Sequence, residues 1–402
     1  MKSNNETIIT TSKRIELLDV YRGFAILGIF VVNIVIMNST FLNQDEFAKQ
    51  WASNVDIAVQ KVLQLFFYTK FFPIFSLLFG LGISMQAMKL SEKGKLSKDF
   101  FFRRMFFLFV FGVLHIVLLW SGDVLNMYAL LGLLTVFFIS KSNRLILGLS
   151  VFFLLFPFYD FLFEQLFMFL GYDPGIFLKD YTGESVNQII TNGTYLEGIQ
   201  LRILEYFSNL PMLIGFLAPI ALSMFLLGMY LGKNKIYESL DVFILKIKKP
   251  VLIVTVLSNV YRILFLYVIV KLDVYKIAIA RQLFIKLMVV SDVIMGLFYL
   301  WIIGWLWYNT SIKSIFKPLK YVGKMALTNY IMQSFIGLIL FSSIGFGLYE
   351  MMSPSQTFIA AISVFIFQVI VSKVWLTYFQ FGPLEWLWRC LTYKKLFTLK
   401  RN

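Results

Sequence analysis

The chain has 402 residues, of which 59% are hydrophobic, 18% aromatic and only 15% charged. A soluble domain carries about 25% charged residues and the mean hydropathy here is +0.77, so an ordinary soluble enzyme, a disordered chain and a secreted disulfide scaffold are excluded. The 37 Lys and Arg against 22 Asp and Glu leave a net charge of +15, which would suggest nucleic acid in a soluble protein and must here be tested against membrane topology.

Residues 1–12 are mostly polar, and the first apolar run, 20–38, lacks the small-residue cleavage site of a secretory signal, so it reads as a retained helix. A spanning helix needs roughly 20 mostly apolar residues. By that rule ten spans are predicted: 20–38, 69–89, 104–121, 122–140, 144–169, 211–232, 250–270, 286–309, 321–347 and 357–379. The turn Ser121-Gly122-Asp123 joins the third to the fourth, and the fifth ends near Asp160 and Glu164 as an interfacial helix. The expected fold class is an all-α polytopic membrane bundle. Its parts are an N-terminal segment 1–19, a five-helix module 20–170, a loop 171–210, a second five-helix module 211–380 and an interfacial tail 381–402. The loop is long enough to carry function or structure of its own.

With the N-terminus inside and strict alternation, 25 basic residues fall on the inner side and eight on the outer, while Arg22, Lys70, Arg262 and Lys373 lie in or at the ends of spans. That asymmetry predicts a multi-pass plasma-membrane protein with both termini cytoplasmic. The excess charge is thereby assigned to orientation and to anionic headgroups, and nucleic acid is excluded as a partner. The expected partners are the lipid bilayer and small-molecule substrates, with self-association allowed.

Cys390 is the only cysteine and His115 the only histidine, so no intramolecular disulfide and no metal site are expected. Asp19 and Arg22 are spaced i,i+3 at the inner mouth, where they read either as a snorkelling pair or as an anion contact. Gly23 and Gly28 allow close helix packing, and Asn33 lies deeper on the same span. Lys70 and Pro73 read as an interfacial anchor and a helix start.

The second cluster holds Arg103, Arg104 and His115, followed by Asp123, Asn126 and Tyr128. His115 lies 11 residues after Arg104, roughly 16 Å along a helix and just past the middle of a core roughly 30 Å thick. An ionisable group at that depth is a functional candidate, and imidazole is the usual general base near neutral pH. Asp123 could orient it, if His115 reaches about two turns or a water bridges. The alternative is a neutral structural histidine.

In the second half, Arg262 falls near the centre of its span and Asp292 in the outer part of the next, as a structural ion pair or the lining of a wet cavity. Asn329 and Gln333, spaced i,i+4, give another span one polar face, which interhelical hydrogen bonds explain equally well. Phe79-Gly80-Leu81-Gly82 and Leu227-Gly228-Met229-Tyr230-Leu231-Gly232 echo one another without establishing a repeat. The stretch 381–389 reads as a turn and an interfacial amphipathic helix with Trp386 and Trp388 in the aromatic belt.

The Leu-Asp-x-x-Arg-Gly-Phe-Ala core within 14–33, the Phe-Ser-Leu-Leu-Phe-Gly segment, His115, Trp-Ser-Gly-Asp with Tyr-Ala-Leu-Leu-Gly, and the C-terminal Gly-Lys-Met-Ala-Leu-Thr-Asn-Tyr and Gly-Pro-Leu-Glu-Trp-Leu-Trp-Arg stretches resemble the YeiB-like bacterial membrane proteins. The N-terminal half is similar to transmembrane acyltransferases of the heparan-alpha-glucosaminide acetyltransferase type. That resemblance implies ten or eleven helices and transfer of an acyl group from a cytoplasmic thioester, with acyl-CoA as the donor and no permanently bound cofactor, to an envelope glycan or lipid acceptor. By position it implies Asp19 and Arg22 as the early Asp/Arg motif and His115 as the acyl-transfer histidine; an acyltransferase built on it would use Asp123 with His115 as the catalytic pair, and Arg103 and Arg104 with Asp19 and Arg22 to bind the donor. Asn33, Asn126, Tyr128, Arg262, Asp292, Asn329 and Gln333 are then candidates to line the polar cavity, and Asn33 or Asn329 could stabilise an oxyanion. Two other readings stand beside it: a carrier or exporter of a small solute or envelope precursor, and a non-catalytic partner or sensor acting through the 171–210 loop.

Overall fold

The computed structural model describes residues 14–39 and 43–401. Residues 1–13 of the N-terminal segment and Asn402 of the tail lie outside them. The chain opens with α1 (Glu16–Asn38), with Glu16 and Asp19 in its first turn, where acidic groups suit the positive end of the helix. Short α2 (Gln44–Gln50) and α3 (Asn54–Phe66) follow, the latter opened by Ser53 capping Asp56 N. The chain turns at Thr69, whose φ is 64°, and restarts as α4 (Phe71–Glu92). Next come α5 (Lys98–Leu118) and α6 (Leu125–Val136). Then α7 (Asn143–Leu155) and α8 (Tyr159–Phe169) meet at an 84° bend. Pro157 lies in the break, and Phe156 before it is extended, with ψ 123°, as a residue preceding proline prefers.

The 171–210 segment is helical. Reciprocal capping boxes at Thr182 with Ser185 and at Thr194 with Glu197 open α9 (Gly183–Asn192) and α10 (Tyr195–Ser208). A one-turn α11 (Leu210–Met212) and a π-helical turn (Leu213–Leu217) lead into α12 (Ala218–Lys233). The second half holds α13 (Leu240–Lys246), α14 (Lys248–Tyr267), α15 (Ala278–Asn309), α16 (Lys313–Phe316), α17 (Leu319–Lys324), α18 (Ala326–Phe341), α19 (Pro354–Tyr378) and α20 (Pro383–Tyr393).

The described residues thus form an all-helical bundle. Seven stretches are long and apolar enough to cross a membrane, or eight if α7 and α8 count as one broken span. Helix length alone therefore accounts for seven or eight of the ten expected spans, and the other two hold shorter apolar helices. The predicted spans 122–140 and 321–347 hold only the 12 residues of α6 and the 16 of α18, about 18 and 24 Å of helix, and the second is interrupted at Met325.

Two glycine crossings set the packing. A Cβ on Gly80 of α4 would strike the backbone of Phe225 on α12, and one on Gly228 of α12 would strike the backbone of Leu77 on α4. The two echoing glycine stretches are therefore the two sides of one helix crossing. Likewise Gly23 of α1 lies against Leu319, and Gly323 of α17 against the backbone of Asp19. Only 22% and 28% of the apolar stretches of α14 and α19 are buried, so these two helices stand at the periphery with apolar faces exposed on the outside of the bundle.

Candidate functional site

Gly112 of α5 has room for the backbone of Asn126 at the start of α6 and for no side chain of its own. That close approach brings the chain before α6 beside the residue one turn further along α5, which is His115. Asp123 Oδ2 accepts from the backbone N–H of Leu125 (2.8 Å) and Asn126 (3.3 Å), which fixes the carboxylate against the first turn of α6. Its other oxygen, Oδ1, lies 2.8 Å from His115 Nδ1, and both side chains are fully buried. Tyr330 of α18 donates to the same Oδ1 at 3.3 Å, and its ring lies 5.3 Å from the imidazole.

His115 Nε2 is buried and has no hydrogen-bond partner among the described residues. With the Nδ1 proton directed at Asp123, Nε2 keeps its lone pair, which is the tautomer a general base requires. His115 sits in the last turn of α5, nearer the helix end than the distance from Arg104 suggested, and it meets Asp123 directly with no bridging water needed.

The end of α5 is finished by α10. Arg202 Nε donates to Val117 O (3.1 Å) and Tyr195 Oη to Leu118 O (2.6 Å), two carbonyls that a helix terminus would otherwise leave unpaired. Glu205 Oε2 accepts from Ser121 Oγ at 2.7 Å. Burial pushes this carboxyl up to about 7, while Ser121 and the Arg202 charge pull the other way. The segment is stitched to α18 as well, since Ser343 N donates to Ile190 O (2.8 Å) and Ser343 Oγ to Gly193 O.

A cavity of about 80 Å³ lies between α1, the end of α5, α9, α10 and α18, with Trp120, Arg202, Glu205 and Ser334 among its walls. Its walls start at Leu119, one turn past His115, and at Ser334, one turn past Tyr330 on α18. Arg202 Nη2 and Ser334 Oγ are buried there with no partner among the described residues.

At the opposite end of α5, Asp19 accepts from Arg14 Nε (2.6 Å) and Nη2 (2.8 Å) and from Arg22 Nη1 (2.9 Å). The i,i+3 pair therefore forms, with Arg14 added. Arg104 stacks over Trp388 of α20 at 3.8 Å and lies near enough to Arg22 and Arg389 for their charges to act on it. Arg103 diverges from it. Its Nε donates to Thr392 O (3.2 Å), and it faces an open groove with Phe102, Phe106 and Lys394.

The remaining candidates are dispersed. Asn126 Nδ2 donates to the Tyr206 hydroxyl. Tyr128 turns toward α4, where its hydroxyl meets Ser76 Oγ at 2.6 Å and donates to Phe72 O. Asn329 donates to Met325 O and Ser372 Oγ (both 3.0 Å), and Gln333 donates to Gln368 Oε1 at 2.9 Å, so their polar face is taken up largely by α19. Asn33 is half-buried, and its side chain makes no hydrogen bond among the described residues.

Arg262 Nε does reach Asp292 Oδ1 (2.9 Å), and Lys70 Nζ meets the same oxygen at 2.7 Å. Lys70 is fully buried, which corrects its reading as an interfacial anchor. It donates to Gln64 O (3.1 Å) and Tyr68 O (2.7 Å), and Arg262 donates to Leu65 O. The two cations thus seal the carbonyl end of α3 inside the bundle, where unpaired backbone groups would be costly. Their surplus charge also faces the negative end of that helix.

Sequence reasoning missed Tyr330, Ser334, Arg202, Glu205 and Ser121. The only signal available for them was the placement of polar groups at the end of a long loop and beside the polar face of α18.

Residues 231–395 match the family model described as Protein of unknown function (DUF418). The chain is 29% identical over 402 residues to the uncharacterized protein YxaH of Bacillus subtilis (strain 168), with 95% of each chain covered. It is 28% identical to an uncharacterized 39.9 kDa protein in the amylase 3' region of Bacillus acidopullulyticus, with 97% of each covered. It is 26% identical to the uncharacterized protein YeiB of Escherichia coli (strain K12), with 93% of this chain and 95% of that one covered. No solved structure matches the chain. None of these descriptions names a reaction. The likeness to YeiB-like proteins read from the motifs therefore holds along nearly the whole chain, and its C-terminal part is similar to the DUF418 family.

Proposed function

We propose that this protein is a membrane acyltransferase of the bacterial plasma membrane. It has both termini in the cytoplasm and moves an acyl group from a cytoplasmic thioester to an acceptor on the outer side. The observation that carries the reading is the fully buried His115–Asp123 pair with an unpartnered Nε2. A buried polar atom left without a partner costs stability, and such a cost is retained at sites where the atom has a substrate to meet.

The basic cluster of Arg22 and Arg104 lies on the inner side in this orientation and offers charge-assisted contacts to the phosphates of acyl-CoA. The roughly 16 Å along α5 from Arg104 to His115 is bridged by the donor's flexible arm. His115 Nε2 takes the proton from the acceptor hydroxyl, whose oxygen forms the new bond to the thioester carbonyl carbon. The carbon–sulfur bond breaks, and the proton passes to the departing thiolate. Asp123 stabilises the imidazolium in between.

Purified protein in liposomes, given acyl-CoA carrying a labelled acyl group together with extracted envelope lipids and glycans, is expected to label an acceptor. The His115→Ala protein should not. Absence of any labelled product from the native protein, or full transfer by His115→Ala, would overturn this function.

A further inference from the structure

We propose that the cavity beyond His115 is a binding site for the glycerol-type head of a lipid: an acyclic primary alcohol next to a phosphodiester or ester oxygen. Only the naming of this ligand as the acceptor rests on the acyltransferase reading; the binding itself does not.

Size argues first. About 80 Å³ is roughly half of the 150 Å³ cavity that holds a six-carbon benzene ring, so the cavity admits only a few heavy atoms, as the terminal alcohol of an open-chain head group would supply, with the rest of the lipid lying beyond it.

The walls argue second. Ile36, Met37, Leu201, Leu338, Phe341 and Ile344 make the lining mostly apolar, which suits an aliphatic chain leaving the head group and gives a polysaccharide little to bond. The polar groups argue third. Arg202 is 9% exposed and presents an unpartnered N–H, and Ser334 is 1% exposed with an unpartnered hydroxyl. Glu205 stands one turn from Arg202 on α10. An N–H donor suits the phosphodiester or ester oxygen, while a carboxyl and a hydroxyl suit an alcohol, which both donates and accepts. The cavity walls start at Leu119 and Ser334, one turn past His115 and Tyr330, so a primary alcohol of the head group would have to pass these side chains to reach the imidazole.

The site is tested by binding, without catalysis. Phosphatidylglycerol and phosphatidylcholine carrying brominated acyl chains are titrated into the detergent-solubilised protein. Quenching of Trp120, which lines the cavity, is taken as the difference between the native and Trp120→Phe proteins. The brominated phosphatidylglycerol should quench saturably, and at about ten-fold lower mole fraction than phosphatidylcholine, which has no hydroxyl. The preference should fall several-fold in Arg202→Gln and in the milder Ser334→Ala, each with an unchanged melting temperature. Equal quenching by both lipids, or an undiminished preference in Ser334→Ala and Arg202→Gln together, overturns the proposal. So does displacement by soluble glycerol 3-phosphate at the same concentration, which would make the ligand a soluble polyol phosphate. Selective quenching without acyl transfer would sink the catalytic reading alone, and acyl transfer without selective quenching would sink this inference alone.

Discussion

At the scale of single residues, the site depends on which atom of each polar group is occupied. Asp123 spends one oxygen on the α6 backbone and the other on His115 and Tyr330, so it has no freedom to rotate away. Asp123→Asn would present an amide whose donor and acceptor ends compete for these partners, and transfer should fall about 10²- to 10⁴-fold, the usual range for general-base catalysis. Tyr330→Phe, which keeps the ring and removes one 3.3 Å contact, should cost far less. Single-turnover acyl transfer by the two variants measures the difference.

Glu205 gives a separate pH prediction. Burial holds it at about 7 in the folded protein, above the ordinary glutamate value of 4.5, so the folded protein holds this proton more tightly than the unfolded chain. The stability it contributes is complete below about pH 4.5 and is lost as the pH rises through 7, on the order of 3 kcal/mol in all. Melting in detergent between pH 5 and 8 should show the decline, and Glu205→Gln should flatten it. A Glu205→Gln profile identical to the native one would remove Glu205 as its source. His115 and Asp123 were legible because the composition left one histidine and few buried charges to explain. Arg202 and Glu205 were not, because nothing in a polar 40-residue segment shows that it folds back over a helix end.

At the scale of elements, breaks in helices are held by side chains distant in sequence. The first turn of α18 is capped by Glu385 of α20, whose carboxylate accepts from Leu327 N (2.7 Å), Thr328 N (3.0 Å) and Thr328 Oγ1 (2.6 Å). Glu385→Ala would leave those donors unpaired and should lower stability by about 1–2 kcal/mol, read as a lower melting temperature. Because α18 carries Tyr330 and Ser334, transfer should weaken too.

The α3–α4 break is more severe. Asp292→Asn would leave Lys70 and Arg262 as two buried cations without a counter-ion, a loss of about 3–5 kcal/mol expected to appear as loss of folded protein in the membrane fraction. Asp292→Asn protein recovered at native yield and melting temperature would contradict the sealing role. Of the ten spans read from hydropathy, which sees length and apolarity, seven hold a single helix long enough to cross. Hydropathy does not see that Pro157 bends one span by 84°, that α6 stops at 12 residues, or that two glycine runs face each other across one crossing.

At the scale of the whole molecule, the proposed orientation places the α4–α5 turn inside and the segment before α9 outside. The chain has a single native cysteine, so a Cys390→Ser background allows each side to be probed. In intact cells Asp180→Cys should react with a membrane-impermeant maleimide, and Lys95→Cys should react only after lysis. Reaction of Lys95→Cys in intact cells would invert the topology. The basic-residue asymmetry carries this expectation, and the bundle's internal packing is indifferent to it, since no helix contact records which end faces the cytoplasm.

The shortness of α6 and α18 acquires a meaning at this scale. Both elements beside His115 are shorter than a hydrocarbon layer about 30 Å thick: about 18 Å for the 12 residues of α6 and 24 Å for the 16 of α18. Such hydrophobic mismatch is relieved when lipids compress around the short elements. If both elements cross in the proposed orientation, the protein would stand in a dimple of its own making, where the two leaflets approach each other beside the imidazole. Lipids with longer acyl chains would resist that dimple, so bilayer thickness itself becomes a control on how readily the two sides of the membrane meet at this histidine.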